Sequence, residues 1–538
     1  MSKFIYFASQ LIMKNLFLTF ALMAVCLFSL AFPAKEASIN VLSYDISLTV
    51  NPSTKLISGA NNISFLVLKP GDICVFKLAP NLKLISIDNN ISFQRIQERI
   101  LVNLPQNVSK GDTLSFKFVY EGTPQVAKNA PWDGGFVWQQ DSSGNPWVGM
   151  ACEGIGAHSW LPCKDTWDDE PSSVTLRLTV PKGLIGVSNG RLVQTEQKEN
   201  TSTFTWQTNN PINHYNIAIN VGKYALIKDF YINEKGDTLS LDFYVLKDNY
   251  SKAKTHFQQS KRMLKAFEHF FGKYPFYEDG YKLVETPYWG MEHQSCVAYG
   301  NNYENNSFGF DFIIIHESGH EWFANSITAQ DKADMWLHES FTTYSESLFV
   351  EYYFGKSRAI QYLLNQKAKI KNELPMIGKY GTHHQFTDND IYYKGAWMLH
   401  TLRGMIDNDT LWFNTLRDLN KKYYHQIITT KEVEQFLSER TRMKLAPFFE
   451  QYLRTSNLPV LEYYITKKNE LNELHYRLQS SVKGLEMPIL VTLAKDKFDF
   501  ITAGDNWKII DLPYEDVSNF RAEESKFLVQ TKLISPKK

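Results

Sequence analysis

The sequence predicts a multi-domain α+β protein: a β domain over residues 36–235, a mainly helical domain over 236–455 and a small β domain over 456–538. Three patterns carry this. Apolar residues alternate with polar ones in the first part, at Tyr44, Ile46, Leu48 and Val50, at Leu114, Phe116, Phe118 and Tyr120, and at Val174, Leu176, Leu178 and Val180. Such a period of two puts one face of a strand on a core. Near residue 250 the spacing becomes helical, with Phe257, Leu264, Phe267 and Phe271 on one face. After Pro459 short strand-like runs return, such as Ile489 to Leu493.

Composition agrees with a packed protein. Of 538 residues, 43% are hydrophobic and 14% aromatic, which excludes a disordered chain. Lys+Arg and Asp+Glu are equal at 57 each, so no basic excess points to nucleic acid.

Taken in order, the N-terminus reads as a targeting segment. Leu16 to Phe32 is uncharged and almost wholly apolar, Lys14 precedes it, and Ser29-Leu30-Ala31 offers small residues for cleavage after Ala31. This is the layout of a secretory signal peptide over residues 1–31. It places the mature protein outside the cytoplasm, in a periplasm or the extracellular space. The rival is a single-pass anchor, in which case the protein stays on a membrane. Export leaves Cys74, Cys152, Cys163 and Cys296. These are too few for a disulfide scaffold, though one bridge could form, and no CxxC pair marks a cysteine zinc site.

Turn clusters such as Asn51-Pro52-Ser53 and Glu121-Gly122-Thr123-Pro124 separate the strands. Gly272 and Pro275 stop the helix that carries Phe267 and Phe271. A later helix starts at Thr429, where Glu432 completes a capping box.

The chemistry gathers around His316-Glu317-Ser318-Gly319-His320, an HExxH motif in a stretch, Phe312 to Phe323, that reads as helix. Residues i and i+4 share a helix face, so both imidazoles can reach one ion, and Glu317 can approach a metal-held water as general base. A catalytic zinc takes three protein ligands. Glu339, nineteen residues after His320, lies within Trp336-Leu337-His338-Glu339-Ser340-Phe341.

At this point the chain resembles the M1 family of zinc aminopeptidases, whose HExxH is followed after eighteen residues by a Glu in a Trp-Leu-Asn-Glu-Gly-Phe segment. His338 and Ser340 replace the usual Asn and Gly. The resemblance implies one Zn2+ per chain held by His316, His320 and Glu339. It extends to Trp289-Gly290-Met291-Glu292-His293, similar to the family's Gly-x-Met-Glu-Asn signature. There Glu292 matches the acceptor of the substrate's free α-ammonium, and Gly290 and Met291 run beside the peptide. Trp289 stands at the first Gly and His293 at the Asn. The segment ending Leu161-Pro162-Cys163-Lys164-Asp165 resembles another family element and makes Glu153 a second contact to the amine. Ile391-Tyr392-Tyr393-Lys394-Gly395 is similar to the family's Tyr-Glu-Lys-Gly, which makes Tyr392 the donor to the oxyanion. Glu346 and Asp334 are the outer carboxylates expected to orient the metal ligands.

The resemblance implies a saddle-shaped N-terminal β domain and a thermolysin-like catalytic domain, without room for the large helical C-terminal domain of longer members. The implied activity is removal of the N-terminal residue from peptides with a free N-terminus, through a zinc-bound water and Glu317. Three alternatives stand beside it. A thermolysin-like endopeptidase uses the same HExxH and distant Glu. An epoxide hydrolase activity accompanies one branch of the family. A binding homologue without catalysis is the third.

Overall fold

The computed structural model describes residues 36–88, 91–381, 388–468, 471–494, 497–512 and 520–535. The expected signal peptide lies outside the described residues.

The N-terminal part is built on a seven-stranded sheet whose central strand is Ser38–Asn51. This strand pairs antiparallel with Leu56–Lys69 and parallel with Ser173–Pro181, with Tyr44 opposite Val174 and Leu48 opposite Leu178. The alternating residues do what the pattern requires: Tyr44, Ile46, Leu48 and Val50 are buried, as are Val174, Leu176, Leu178 and Val180. A second sheet contains Gly135–Gln140 and Pro146–Ala151. Its last strand delivers the chain directly to Cys152 and Glu153.

A five-stranded sheet follows, ordered Tyr224–Ile232, Thr238–Leu246, Tyr281–Glu285, Val297–Tyr299, Gly290–Met291. The division expected between residues 235 and 236 therefore falls inside a hairpin. Both of its strands belong to this five-stranded sheet, since Leu241 pairs with Tyr281. Period-two patterning runs through both domains here, so nothing local marks the change. Gly290–Met291 is the edge strand and pairs on one side only, with Ala298 and Tyr299.

Two helices, α1 (Tyr250–His256) and α2 (Gln259–Phe271), flank Phe257. Gly272 ends α2 at φ 97°, a conformation that favours glycine. Helices α3 (Phe312–Gly319) and α4 (Trp336–Phe354) carry the HExxH motif and Glu339. Helix α4 is buried on every side from Trp336 to Val350, because α3, α5 (Lys356–Lys367) and α6 (Tyr393–Ile406) surround it. The helical part closes with α7 (Asp409–Lys422), α8 (Thr430–Thr441) and α9 (Ala446–Arg454). Thr429 and Glu432 form the capping box at the start of α8.

The C-terminal strands form two small sheets, one containing Met487–Ala494. They brace the helices: Leu528 N–H donates to Thr401 Oγ1 at 2.9 Å, and Tyr452 Oη donates to Leu528 O at 2.8 Å. The α+β class with β, helical and β regions in that order is as expected. All four described cysteines are free and buried. Among the described residues no helix is long and apolar enough to cross a membrane.

Candidate active site

Helix α3 begins where Asp311 caps it, accepting from Ile313 N–H at 3.0 Å. Asp311 is itself held by Tyr299 Oη at 2.7 Å and His256 Nε2 at 2.7 Å. The helix start is thus fixed to the sheet. The helix ends at Gly319, earlier than the expected Phe323. His320 Nδ1 donates to Phe323 O at 3.0 Å, and Asn325 N–H and Ser326 N–H reach back to His320 O and Glu321 O. These wide turns replace the regular ladder, while His320 keeps helical backbone angles.

His316 and His320 consequently face one another, with Nε2 atoms 3.3 Å apart. Glu339 Oε2 lies 3.4 Å from His316 Nε2 and 3.5 Å from His320 Nε2. A tetrahedral ion with bonds of 2.0–2.1 Å holds its ligands roughly 3.3 Å apart, so the triangle has the right size for zinc. Its chemistry also fits. His316 Nδ1 donates to Glu346 Oε1 at 2.7 Å and His320 Nδ1 to Phe323 O, which leaves both Nε2 lone pairs aimed inward. Glu339 Oε2 is buried without a hydrogen-bond donor. Burial lowers the His316 pKa, but the Glu339 and Glu346 carboxylates outweigh it and hold it well above the usual range. Burial pushes His320 down to about 4, the neutral state that a metal needs.

Glu346 itself is fixed by Tyr362 Oη at 2.5 Å and Gln366 Nε2 at 3.0 Å, both from α5. Asp334 is placed differently from the expectation. It accepts from Tyr380 Oη at 2.7 Å and from Thr430 Oγ1, so it ties the approach to α4 to the start of α8, and among the described hydrogen bonds it makes none to His316, His320 or Glu339. It sits in a single 3-10 turn before α4, off the face that carries Glu339 and Glu346.

Glu317 lies beside Gly290, where a Cβ would come within 2.7 Å of its Oε1. A side chain at this position would have to displace the carboxylate or Ile313. Burial pushes Glu317 up to about 7, close to what a general base working at neutral pH requires.

Glu292 follows the edge strand, and its Oε1 accepts from Tyr215 Oη at 3.1 Å. Carboxylate oxygens of Glu292 and Glu317 and a ring nitrogen of His320 all lie within 4.8 Å of one another. Burial, with the nearby Glu339 and Glu317 carboxylates, pushes Glu153 up to about 8, and burial, with the Glu153, Glu317 and Glu339 carboxylates, holds Glu292 well above the usual range. A cation bound among these carboxyls would favour their ionised forms.

Tyr392 precedes α6. Its hydroxyl donates to Glu339 Oε1 at 3.1 Å and its ring centre is 6.0 Å from that of His316. Burial and the nearby Glu339 keep the phenol protonated. Tyr393 turns away, its oxygen accepting from Lys369 Nζ at 3.4 Å. Ser340 Oγ donates to Ile391 O at 2.6 Å and fits only because residue 395 is glycine, so this substitution couples the Glu339 helix to the tyrosine. His338 Nε2 accepts from Ala329 N–H at 2.9 Å, and burial holds it neutral, down to about 3. His293 is buried with neither ring nitrogen hydrogen-bonded, and burial pushes it down to about 3.

Beside Tyr215, two further residues from distant parts of the chain support the site. Lys332 Nζ donates to the carbonyls of Glu153 at 2.9 Å and Gly154 at 3.0 Å. Trp167 stacks between Tyr215 and His338, with ring centres 5.2 Å from each, and Lys332 lies over it. Nothing in the local sequence of Lys332 or Trp167 marks them. An Asp directly before an apolar helix does mark Asp311 as a cap.

Comparison with known proteins gives a consistent picture. The Peptidase M1 N-terminal domain model matches residues 40–215 and the Peptidase family M1 domain model matches residues 255–452. A leucyl aminopeptidase of Saccharolobus solfataricus is 20% identical over 365 residues, which cover 63% of this chain and 45% of that protein. Leukotriene A-4 hydrolase of Xenopus laevis is 21% identical over 416 residues, covering 73% of this chain and 65% of that protein. The chain thus spans about half to two thirds of the length of these relatives. The crystal structure of an M1 zinc metallopeptidase from Deinococcus radiodurans superposes with a TM-score of 0.67 at 20% identity, over 79% of this chain and 97% of that one. A mutant M1 zinc metallopeptidase from the same organism, crystallised with a Tyr-Ser-Ala substrate, superposes with a TM-score of 0.66 at 20% identity, over 78% of this chain and 95% of that one. Both domain models match in order along most of the chain, and the catalytic one spans the helices that bring His316, His320 and Glu339 together: the chain belongs to peptidase family M1.

Proposed function

We propose that this chain is a zinc-dependent aminopeptidase that releases the N-terminal residue of peptides. The observation that supports it best is the buried Glu292 carboxylate beside the His316–His320–Glu339 triangle, within 4.8 Å of Glu317 and His320 and with Glu153 near enough to raise its pKa. Within one residue the α-nitrogen and the carbonyl carbon are about 2.5 Å apart. A free ammonium held by Glu292 and Glu153 therefore brings the first peptide carbonyl to the triangle and no later one. An internal peptide bond would offer the two carboxyls only one neutral N–H. That disfavours the endopeptidase reading, because desolvated carboxylates without a cation are costly.

His316, His320 and Glu339 would hold one zinc, which when bound supplies a Lewis acid for the scissile carbonyl and lowers the pKa of a water. The remaining steps belong to the chain's own residues. Glu317 accepts the attacking water's proton and hands it to the leaving nitrogen. Tyr392 turns its hydroxyl from Glu339 Oε1 to the developing oxyanion. Gly290 and Met291 offer the unpaired strand edge to the peptide backbone. Export to a periplasm or the extracellular space belongs to the same proposal and is supported by the apolar segment Leu16–Phe32 alone.

The test compares leucyl-arylamide with its N-acetylated twin. The free amine should be hydrolysed at least about 10²-fold faster in kcat/KM, the scale of a charged pair made in a buried site. Glu292→Ala should remove most of that difference. Equal rates on the two compounds would overturn the exopeptidase reading in favour of the endopeptidase.

A further inference from the structure

A row of aromatic rings leads outward from the metal triangle. Phe312 opens α3 one turn before His316 and stacks on its imidazole, with ring centres 5.2 Å apart and planes at 26°. Trp289 stacks on Phe312 at 5.5 Å and 26°. Trp132, from the N-terminal β part, lies 6.1 Å from Trp289. Exposure rises along the row: His316 is 5% exposed, Trp289 43% and Trp132 60%. Large aromatic residues half in water usually gain from being covered.

The row is built rather than loose. The Trp289 indole N–H donates to Asn301 Oδ1 at 3.1 Å, and Asn301 Nδ2 donates to Asp311 Oδ1 at 2.9 Å. The same aspartate that caps α3 therefore fixes the indole. The loop bearing Trp132 is closed by Asp133 Oδ2, which accepts from Lys128 N–H at 2.6 Å and Asn129 N–H at 2.9 Å. It also packs on Ile155 through Gly134, two residues beyond Glu153.

Its direction is set by the chemistry. The substrate amine belongs at Glu292. Glu317, which must reach the leaving nitrogen, lies against Gly290. Along Trp289–Glu292 the leaving side is therefore the Trp289 end. An extended peptide advances about 3.3 Å per residue, so alternate residues lie about 6.6 Å apart, close to the 5.5 and 6.1 Å steps between the three ring centres.

Resting on the aminopeptidase reading above, we infer that Phe312, Trp289 and Trp132 form a specificity strip for the side chains immediately downstream of the scissile bond. Its preferred substrates are peptides whose second or third residue is aromatic or large and aliphatic. The strip carries no charged group of its own, so selection there is by apolar burial and ring stacking.

Release of free leucine from Leu-Gly-Gly, Leu-Phe-Gly and Leu-Gly-Phe tests this in the zinc-loaded enzyme. One or both of the Phe peptides should exceed Leu-Gly-Gly in kcat/KM by about tenfold, the value of a partly covered ring. In Trp289→Ala and in Trp132→Ala the ratio should fall to about two or less in at least one variant. A ratio within one enzyme is insensitive to a loss of folded fraction. A ratio near one in the unmodified enzyme, or an unchanged ratio in both variants, would overturn the strip while leaving the aminopeptidase reading in place. So would variants that change only the preference between leucyl- and alanyl-arylamide, since the rings would then belong to the first residue. If no tripeptide yields free leucine, the aminopeptidase reading fails and the strip fails with it.

Discussion

Glu317→Gln is expected to lower kcat by about 10²–10⁴ and to leave zinc bound, as read by steady-state hydrolysis of leucyl-arylamide alongside metal analysis. Glutamine has the same shape and fits beside Gly290 without a new clash. It has no basic oxygen that can take a proton from water and return it to the leaving nitrogen. The metal should stay, because the His316–His320–Glu339 triangle is complete with edges of 3.3–3.5 Å and includes no atom of Glu317. His320→Ala should behave oppositely, with metal and activity lost together. A Glu317→Gln enzyme with a near-normal rate would contradict the assignment of the base.

Tyr392→Phe should cost about 10²–10³ in kcat, or about 3–4 kcal/mol of transition-state stabilisation. Phenylalanine keeps the ring beside His316 and removes only the donor. KM should move far less, since the ground-state carbonyl carries little of the charge that the hydroxyl meets later. Tyr393→Phe is the matched control. Its oxygen contacts Lys369 on another face of α6, so the variant should remain active. If the effects are reversed, the roles of the two adjacent tyrosines are exchanged. If both variants are active with zinc bound, another group stabilises the oxyanion.

The site was legible to different depths for physical reasons. The metal triangle depends on residue types that few chemistries share and on a helical spacing that sequence displays directly. Glu346 could be nominated because seven residues, two helical turns, separate it from Glu339 on α4. Asp334 obeyed no such periodicity. It precedes α4, and the turn of Lys332–Asp334 sends its carboxyl to Thr430. Tyr215, Trp167 and Lys332 act on Glu292 and Glu153 from distant parts of the chain, so only the folded topology reveals them. Trp289 was visible as a departure from the family's glycine, but its stacking on Phe312 was not.

The fold shows the same division. Alternation over Tyr44–Val50 and Val174–Val180 announced buried strand faces, and Thr429 with Glu432 announced a helix start. The end of α3 was not announced. Glu321, Trp322 and Phe323 are ordinary helix residues, and the ladder stops where Ala324 takes φ 143° and turns its N–H forward to Ile327 O. The hairpin Tyr224–Leu246 reads as strand on either side of the expected division, and only its pairing with Tyr281–Glu285 shows which sheet it joins.

The most direct test is product mapping by mass spectrometry. A decapeptide and its N-acetylated twin would be incubated with the zinc-loaded protein and sampled over time. Stepwise loss of residues from the N-terminus of the free peptide is expected, with the acetylated twin intact. Internal fragments from both peptides would contradict the aminopeptidase reading, and so would two intact peptides under a full complement of zinc.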